Sequence, residues 1–296
     1  MSLKVALTGP TGQLGSDIRR SAPPEIELVT IARGEMDIGL QERVEAVITG
    51  LRPDFIINTA AYVRVDDAED EAGEAFRVNA LGARNLALAA EKTGAALIHI
   101  STDYVFDGFD WDKNGKVKNK NKNKNVPYNE DDIANPLNTY GISKYAGELF
   151  VRNFSSRHYI VRLAGLYGRA GASGKGGNFV YTVLDRARRG EPLRVVDDIF
   201  MSPTYAADAA GAIWDLIMKV KPFGLYHAAN GGVCSWYEFA VSILRHAGIG
   251  ARVSPISHTD YKTRARRPLW SPLESSRGVR PRHWEEALGD FIASLE

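Results

Sequence analysis

Short, almost continuously apolar runs alternate with segments of helical periodicity through the first half of the chain. Leu3–Thr8, Ile26–Ile31, Asp54–Ala60 and Ala95–Ser101 are rich in Val, Ile and Leu, the pattern of strands buried on both faces of a parallel sheet. Gln13–Ser21, Leu40–Leu51 and Glu74–Thr93 lie between them and read as helices. The repeated strand–helix–strand order predicts the α/β class, a doubly wound parallel sheet with right-handed crossovers. A helix over Thr139–Phe154 and a strand over Tyr159–Leu163 continue it. After about Gly165 the rhythm loosens. Helices are predicted over Phe179–Arg189, Tyr205–Lys219 and Trp236–Ala247, and a strand over Gly224–Ala228. A tail rich in Pro, Ser and Arg, Ser254 to Arg282, precedes a closing helix over His283–Leu295. These patterns divide the chain into a sheet domain over residues 1–165 and a smaller α/β lobe over 166–296, with segments crossing back.

Composition changes this picture only by exclusion. With 44% hydrophobic and 25% charged residues the chain has the balance of an ordinary globular protein. A formal net charge of +1 supplies no basic field for nucleic acid or an anionic membrane, so neither partner is expected. Cys234 is the sole cysteine, which excludes an intramolecular disulfide and a cysteine-built zinc site. His99, His158, His227, His246, His258 and His283 are scattered without metal-ligand spacing, and no metal is expected. No apolar run approaches the roughly 20 residues of a membrane span and the start lacks a signal-peptide layout, so a cytoplasmic location is expected. Trp111–Asn125, alternating Lys with Asn and Gly, has little to bury and is expected to be a mobile solvated loop.

The candidate chemistry begins at the first strand–helix junction. Thr8-Gly9-Pro10-Thr11-Gly12-Gln13-Leu14-Gly15 places three glycines where a tight turn lets backbone N–H groups approach a pyrophosphate at a helix start. A dinucleotide cofactor is therefore expected, held by Gly9, Thr11, Gly12, Gln13, Leu14 and Gly15, and residues 1–165 read as an NAD(P)-binding Rossmann domain. The second strand ends at Ile31-Ala32-Arg33 without the carboxylate that binds an NAD ribose. Arg33 suits a 2′-phosphate, which favours NADPH over NADH, with Asp37 and Ile38 bordering the adenine. Ala60, Ala61 and Tyr62 end the third strand where the cofactor must cross the sheet. Tyr140 lies four residues before Lys144, on one helix face. An ammonium there would lower the phenol pKa and equip it to move a proton at a carbonyl oxygen. With 12 Tyr in the chain, about half of one such pair is expected by chance, so context decides. Thr102, at the end of the fourth strand, is placed to orient a carbonyl.

Together these residues resemble the extended short-chain dehydrogenase/reductases, and within them the dTDP-4-dehydrorhamnose reductase family. The matching residues are the Gly9/Gly12/Gly15 turn, Asn58–Tyr62 with Val65-Asp66 and Ala68-Glu69, Val78-Asn79-Ala80, and Ser101–Gly108. Asn135–Gly141 with Lys144, Ser202–Asp208, Gly224–Asn230 and Arg266-Arg267-Pro268 extend the likeness over nearly the whole chain. The resemblance implies a Thr102/Tyr140/Lys144 catalytic set reducing the C4 ketone of a nucleotide-linked 4-keto-6-deoxy sugar with NAD(P)H. Tyr140 would donate the proton, Thr102 bond the keto oxygen, and Lys144 hold the nicotinamide ribose. It adds Asn79 to the cofactor contacts and implies substrate contacts from Val65, Asp103, Tyr104, Phe106, Asn178, Phe179 and Arg267. Arg264, Arg266 and Arg267 suit a diphosphate or a solvated tail. A nucleotide sugar is the implied partner, and homodimerisation is compatible with it.

Departures from the family pattern fall on the substrate side. Gly165 stands where the family usually has a sugar-stacking Trp, and Ile199 and Met201 stand where it commonly has Gln and Gly. Two alternatives stay open: a nucleotide-sugar epimerase, and an NADP-binding regulatory subunit of a methionine adenosyltransferase. The related dehydratases carry Asp-Glu after the threonine, and here Thr102 is followed by Asp103-Tyr104.

Overall fold

A computed structural model of the chain describes residues 2–111, 117–119, 126–171 and 177–295. Six parallel strands form the main sheet: β1 (Leu3–Thr8), β2 (Ile26–Ile31), β3 (Phe55–Asn58), β4 (Ala96–Thr102), β5 (His158–Leu163) and β6 (Gly224–His227). Their spatial order is β6-β5-β4-β3-β1-β2, so the direction of winding reverses between β1 and β3. Ligands in such sheets bind beyond the carboxyl ends at that switch point. The class is a Rossmann-like doubly wound α/β fold.

Alternation along each strand explains the continuous apolar runs. Val5, Leu7, Ile57, Ile98 and Val161 face one layer, where α1 (Gln13–Arg20) packs with a later helix, Ala206–Met218. Ala6, Ile56, Leu97 and Ile160 face the other, formed by α2 (Gln41–Leu51), α3 (Gly82–Thr93) and α4 (Thr139–Phe154). Both faces are therefore covered and polar residues have no place mid-strand. Exceptions include His99 in β4 and Arg162 in β5, both buried, with Arg162 paired to Glu148 of α4 at 2.6 Å.

A second core joins α5 (Phe179–Arg188), α6 (the Ala206–Met218 helix, at its first turn), α7 (Trp236–His246) and α8 (Trp284–Ala293) around Tyr167, Leu184, Phe239, Ile243 and Phe291. The chain after residue 166 also supplies β6 and most of α6 to the Rossmann layers.

Three local differences from the sequence pattern have physical causes. The third strand stops at Asn58, because Thr59 turns to donate its hydroxyl to Thr8 O at 2.6 Å. The helix expected over 74–93 is interrupted by a π segment, Arg77–Leu81, in which Asn79 is buried. Within Trp111–Asn125 the backbone of Val117–Asn119 pairs antiparallel with Asp110–Trp111. The remainder of that Lys/Asn segment, on which a mobile loop was expected, lies outside the described residues.

Candidate active site

The turn after β1 is shaped by close approach. Gly9 has φ +66°, and a side chain on it would meet Ala60 N and Thr59 Oγ1 at 2.8 Å. A Cβ at Gly15 would sit 2.2 Å from the Gly9 carbonyl oxygen, so α1 begins directly against the turn. The cap residue Gly12 brings no side-chain hydrogen bond to the helix start. A backbone cradle that excludes side chains, beside the positive end of a helix, fits a pyrophosphate. Thr11 is exposed and Gly12 and Gln13 partly so, while the Leu14 side chain is buried in the sheet core. Gln13 is braced at both ends: its Nε2 donates to Leu166 O at 3.2 Å and its Oε1 accepts from Asn178 Nδ2 at 2.9 Å.

Beyond β2, Arg33 is 74% exposed and lies 3.4 Å from Glu74 and 3.7 Å from Asp37. Arg77 is held more tightly by the same two carboxylates, at 2.6 Å from Glu74 and 3.0 Å from Asp37. Hydrogen bonds from Arg77 hold the Asp37 carboxyl below its usual range. Ile38, expected at the adenine, instead buries its side chain in the core, in the space that Gly82 leaves by having no Cβ. Ala60 and Ala61 are partly exposed past β3. Asn79 is not open to a cofactor: its amide is consumed by Tyr62 N and Tyr62 O, at 2.9 and 3.0 Å, and by Ser143 Oγ at 3.0 Å. It ties the loop after β3 to α4.

α4 delivers the Tyr/Lys pair. Asn138 caps it, accepting from Gly141 N at 2.7 Å. A Cβ at Gly141 would lie 2.3 Å from Tyr104 O, so the first helical turn rests on the backbone just past β4. Tyr140 consequently meets Tyr104 edge-on, ring centroids 6.0 Å apart. Burial, Asp103 and Tyr104 push the Tyr140 phenol well above the usual tyrosine range, against the opposing influence of Thr102. This corrects the expectation of a phenol lowered by Lys144. The lysine is 3% exposed, its Nζ donates to Ile100 O at 2.6 Å, and burial lowers it to about 8, against the pull of Glu148.

The substrate-side expectations divide. Val65 and Tyr104 are partly exposed, and Tyr104 lies against Tyr140. Phe106 is fully buried, stacked on Tyr128 at 3.9 Å and beneath the Arg162 guanidinium, so it supports the strand end from below. Phe179 packs on Trp236 at 4.7 Å in the second core, and Asn178 caps α5 while bonding Gln13 and Gly168 O. Asp103 is 3% exposed and turned inward. Arg267 is paired with Asp66 at 2.7 Å, and Arg264 with Asp67 and Asp70, which leaves both neutralised by the chain's own carboxylates. Arg266 is exposed, and its carbonyl accepts from Asn138 Nδ2 at 2.7 Å. Gly165 has φ +49°, and a Cβ there would meet Met201 Sδ at 2.9 Å, so Met201 fills the space a larger residue would need.

Three supports escaped the sequence reading. Asn138 was legible as a cap before the helix. Arg162 was a charge inside an apolar strand and implied a buried partner, Glu148, which also accepts from Ser101 Oγ at 2.5 Å. Ser271, whose hydroxyl donates to Asp103 Oδ2 at 2.6 Å, had no local signal. Among the described residues no cluster of His, Cys, Asp or Glu could hold a metal ion, and no helix is long and apolar enough to cross a membrane.

Comparison with known proteins places this geometry in a family context. The profile of the RmlD substrate binding domain matches residues 3–296. The chain is 37% identical to the spore coat polysaccharide biosynthesis protein SpsK of Bacillus subtilis, over 98% of this chain and 96% of that protein. It is 35% identical to the dTDP-4-dehydrorhamnose reductase of Sinorhizobium fredii, over 99% and 98%. Among solved structures, a dTDP-4-dehydrorhamnose reductase from Bacillus anthracis in complex with NADP superposes with a TM-score of 0.90 at 37% identity, over 99% of this chain and all of that one. The Clostridium acetobutylicum counterpart gives 0.89 at 34%, over 99% of each chain.

Proposed function

The chain belongs to the RmlD substrate binding domain family, and on that footing we propose that it reduces the C4 ketone of a nucleotide-linked 4-keto-6-deoxy sugar with NAD(P)H, dTDP-4-dehydro-L-rhamnose to dTDP-L-rhamnose being the specific reaction. The observation that carries this reading is the convergence of Tyr140, Thr102 and Lys144 at the β4 end, beside a glycine cradle that fits a pyrophosphate.

When bound, the nicotinamide supplies hydride to C4. The chain's own residues do the rest. The Tyr140 phenol, held protonated by its surroundings, donates to the developing alkoxide. Lys144, fixed through Ile100 O, presents its remaining N–H donors toward the nicotinamide ribose. The Gly9–Gly15 turn and α1 start hold the pyrophosphate, and Ala60 and Ala61 leave room where the cofactor crosses the sheet. Arg33 and Arg77 together offer a 2′-phosphate its cations, supporting NADPH. Asp37 beside them keeps an acceptor for a free ribose hydroxyl, so NADH is also used. Residues 1–165 act as the cofactor domain and 166–296 mainly as the substrate lobe.

The test is an NADPH-consumption assay against a panel of nucleotide-linked 4-keto sugars, repeated with NADH. Stoichiometric cofactor oxidation with dTDP-4-dehydro-L-rhamnose is expected. Interconversion of sugar epimers without net oxidation would replace the reading by epimerisation. Absence of turnover with every sugar, together with stable capture of a methionine adenosyltransferase, would replace it by the regulatory reading.

A further inference from the structure

The first residue of α1 reaches away from the glycine turn and into the second half of the chain. Gln13 Nε2 donates to Leu166 O at 3.2 Å, and Gln13 Oε1 accepts from Asn178 Nδ2 at 2.9 Å. Asn178 spends its other amide proton on Gly168 O, at 2.8 Å, while its Oδ1 accepts from Tyr181 N at 3.1 Å and so caps α5. An amide carries two protons, so Asn178 keeps none for a diphosphate oxygen. The carbonyls of Leu166 and Gly168 can only accept, which fixes the orientation of both amides and leaves Gln13 Oε1 facing Asn178 Nδ2. α1 and α5 thus begin at a shared hydrogen bond. The segment between Leu166 and Asn178 is pressed against the same helix. A Cβ at Gly168 would lie 3.1 Å from Asp17 Oδ2, one turn along α1, and 2.8 Å from Ala206 Cβ at the start of α6. Leu166–Tyr167 pairs in turn with Thr204–Tyr205, immediately before α6.

We propose that the Gln13–Asn178 hydrogen bond is a positioning strut, through which a side chain of the cofactor turn sets the start of α5 and with it the sugar-nucleotide side of the site; this rests on the reductase reading above. The Gln13 side chain then serves the substrate lobe, while the backbone of the turn serves the cofactor. Asn178 acts through Gln13 and Gly168, and not as a donor to the substrate. A misplacement of about 1 Å can cost about 100-fold in rate. A lobe that brings a sugar to a nicotinamide held elsewhere in the fold therefore needs a fixed reference to the cradle, and Gln13, one residue past Gly12, supplies it.

Hydrogen exchange reads the strut with no ligand present. Q13M keeps the length of the side chain and removes both hydrogen bonds, so Asn178 loses an anchor 165 residues away in sequence. The Tyr181 amide, which Asn178 caps, should then exchange about fivefold faster. Calorimetry reads the ligands separately, with NADPH for the cradle and dTDP for the nucleotide of the sugar substrate. Q13M should weaken dTDP about fivefold to tenfold, while NADPH stays within about twofold. N178S is too short to reach Gln13 but can still cap α5, and it should weaken dTDP to the same degree. The Q13M/N178S double variant should bind dTDP no worse than either single one, because both break one link. Wild-type exchange at Tyr181 in Q13M, unchanged dTDP affinity there, a loss of NADPH affinity instead, or losses that multiply in the double variant would each overturn the proposal. Faster Tyr181 exchange in Q13M, together with wild-type protein that binds no dTDP, would instead overturn the nucleotide-sugar reading and leave the strut standing.

Discussion

Tyr140 and Lys144 carry opposite consequences of the same burial. The phenol is pushed up and keeps its proton throughout the neutral range, so it starts a reduction as an acid. Y140F should lower kcat by about 100-fold or more with little change in KM, as expected for loss of a group that acts in the transition state. Steady-state kinetics on the purified variant checks this. Lys144 is depressed to about 8 from an ordinary 10.5. The unfolded chain therefore binds more protons than the native one between those values, and native stability rises with pH across that window. Below pH 8 the full cost of the buried ammonium is present. K144M should consequently resist urea better than wild type at pH 7, lose that advantage toward pH 10, and lose activity. Urea titrations at the two pH values decide it. The Tyr/Lys spacing and Thr102 were legible in the sequence because they sit at fixed places in a strand–helix pattern. The direction of the phenol shift was not, because it comes chiefly from burial, with Asp103 and Tyr104 adding to it, and the spacing does not encode how deeply the pair is enclosed.

At the scale of elements, two close approaches place the catalytic helix. Gly141 lets α4 rest on the Tyr104 carbonyl, and a Cβ at Gly147 would lie 2.4 Å from Asn79 O in the π segment. G141A must push the first turn of α4 off β4 and carry Tyr140 with it. We expect kcat to fall at least tenfold with a lower Tm, measured by kinetics and thermal unfolding on the same preparation. Beneath the helix the Glu148–Arg162 pair is fully buried, and E148Q would leave the guanidinium without its counter-charge. A loss of about 3–5 kcal/mol in denaturant unfolding is expected, the scale for breaking a buried pair by removing one partner. Strands and helices could be read from apolar periodicity because both sheet faces are covered. The π segment could not, since its one extra residue per turn leaves the apolar pattern of 74–93 nearly unchanged.

Across the whole molecule, the tail after residue 264 returns to the Rossmann side and fastens there. Arg264 and Arg267 pair with Asp67, Asp70 and Asp66, Asn138 holds Arg266 O, and Ser271 holds Asp103. Further along, Glu130 accepts from His227 N of β6, from Ser275 Oγ, and from the backbone and hydroxyl of Ser276. Burial would raise that carboxyl, but these hydrogen bonds outweigh it and hold it at about 2. Its contribution to stability is complete above the ordinary 4.5 and is lost as pH falls toward 2. E130Q should lower Tm at pH 7 and flatten the loss of Tm between pH 4.5 and 2, followed by calorimetry. The sequence marked this tail as basic and irregular, and that composition suited a diphosphate or solvent equally well. Its partners lie about 200 residues earlier, at Asp66, Asp67 and Asp70, and one sequence alone carries no trace of such pairings. The same holds on the substrate side, where Met201 fills the space beside Gly165 and the sugar-facing surface depends on contacts between distant loops.

The central claim is that hydride reaches C4 of a nucleotide-linked sugar while Tyr140 supplies the proton. The direct measurement is turnover of dTDP-4-dehydro-L-rhamnose with nicotinamide-deuterated NADPH, following cofactor absorbance and the product by NMR and mass spectrometry. The account predicts one cofactor oxidised per sugar and a single deuterium at C4 of dTDP-L-rhamnose, both slowed about 100-fold or more in Y140F. Deuterium absent from C4, or epimerised sugar formed with no net cofactor oxidation, would contradict it.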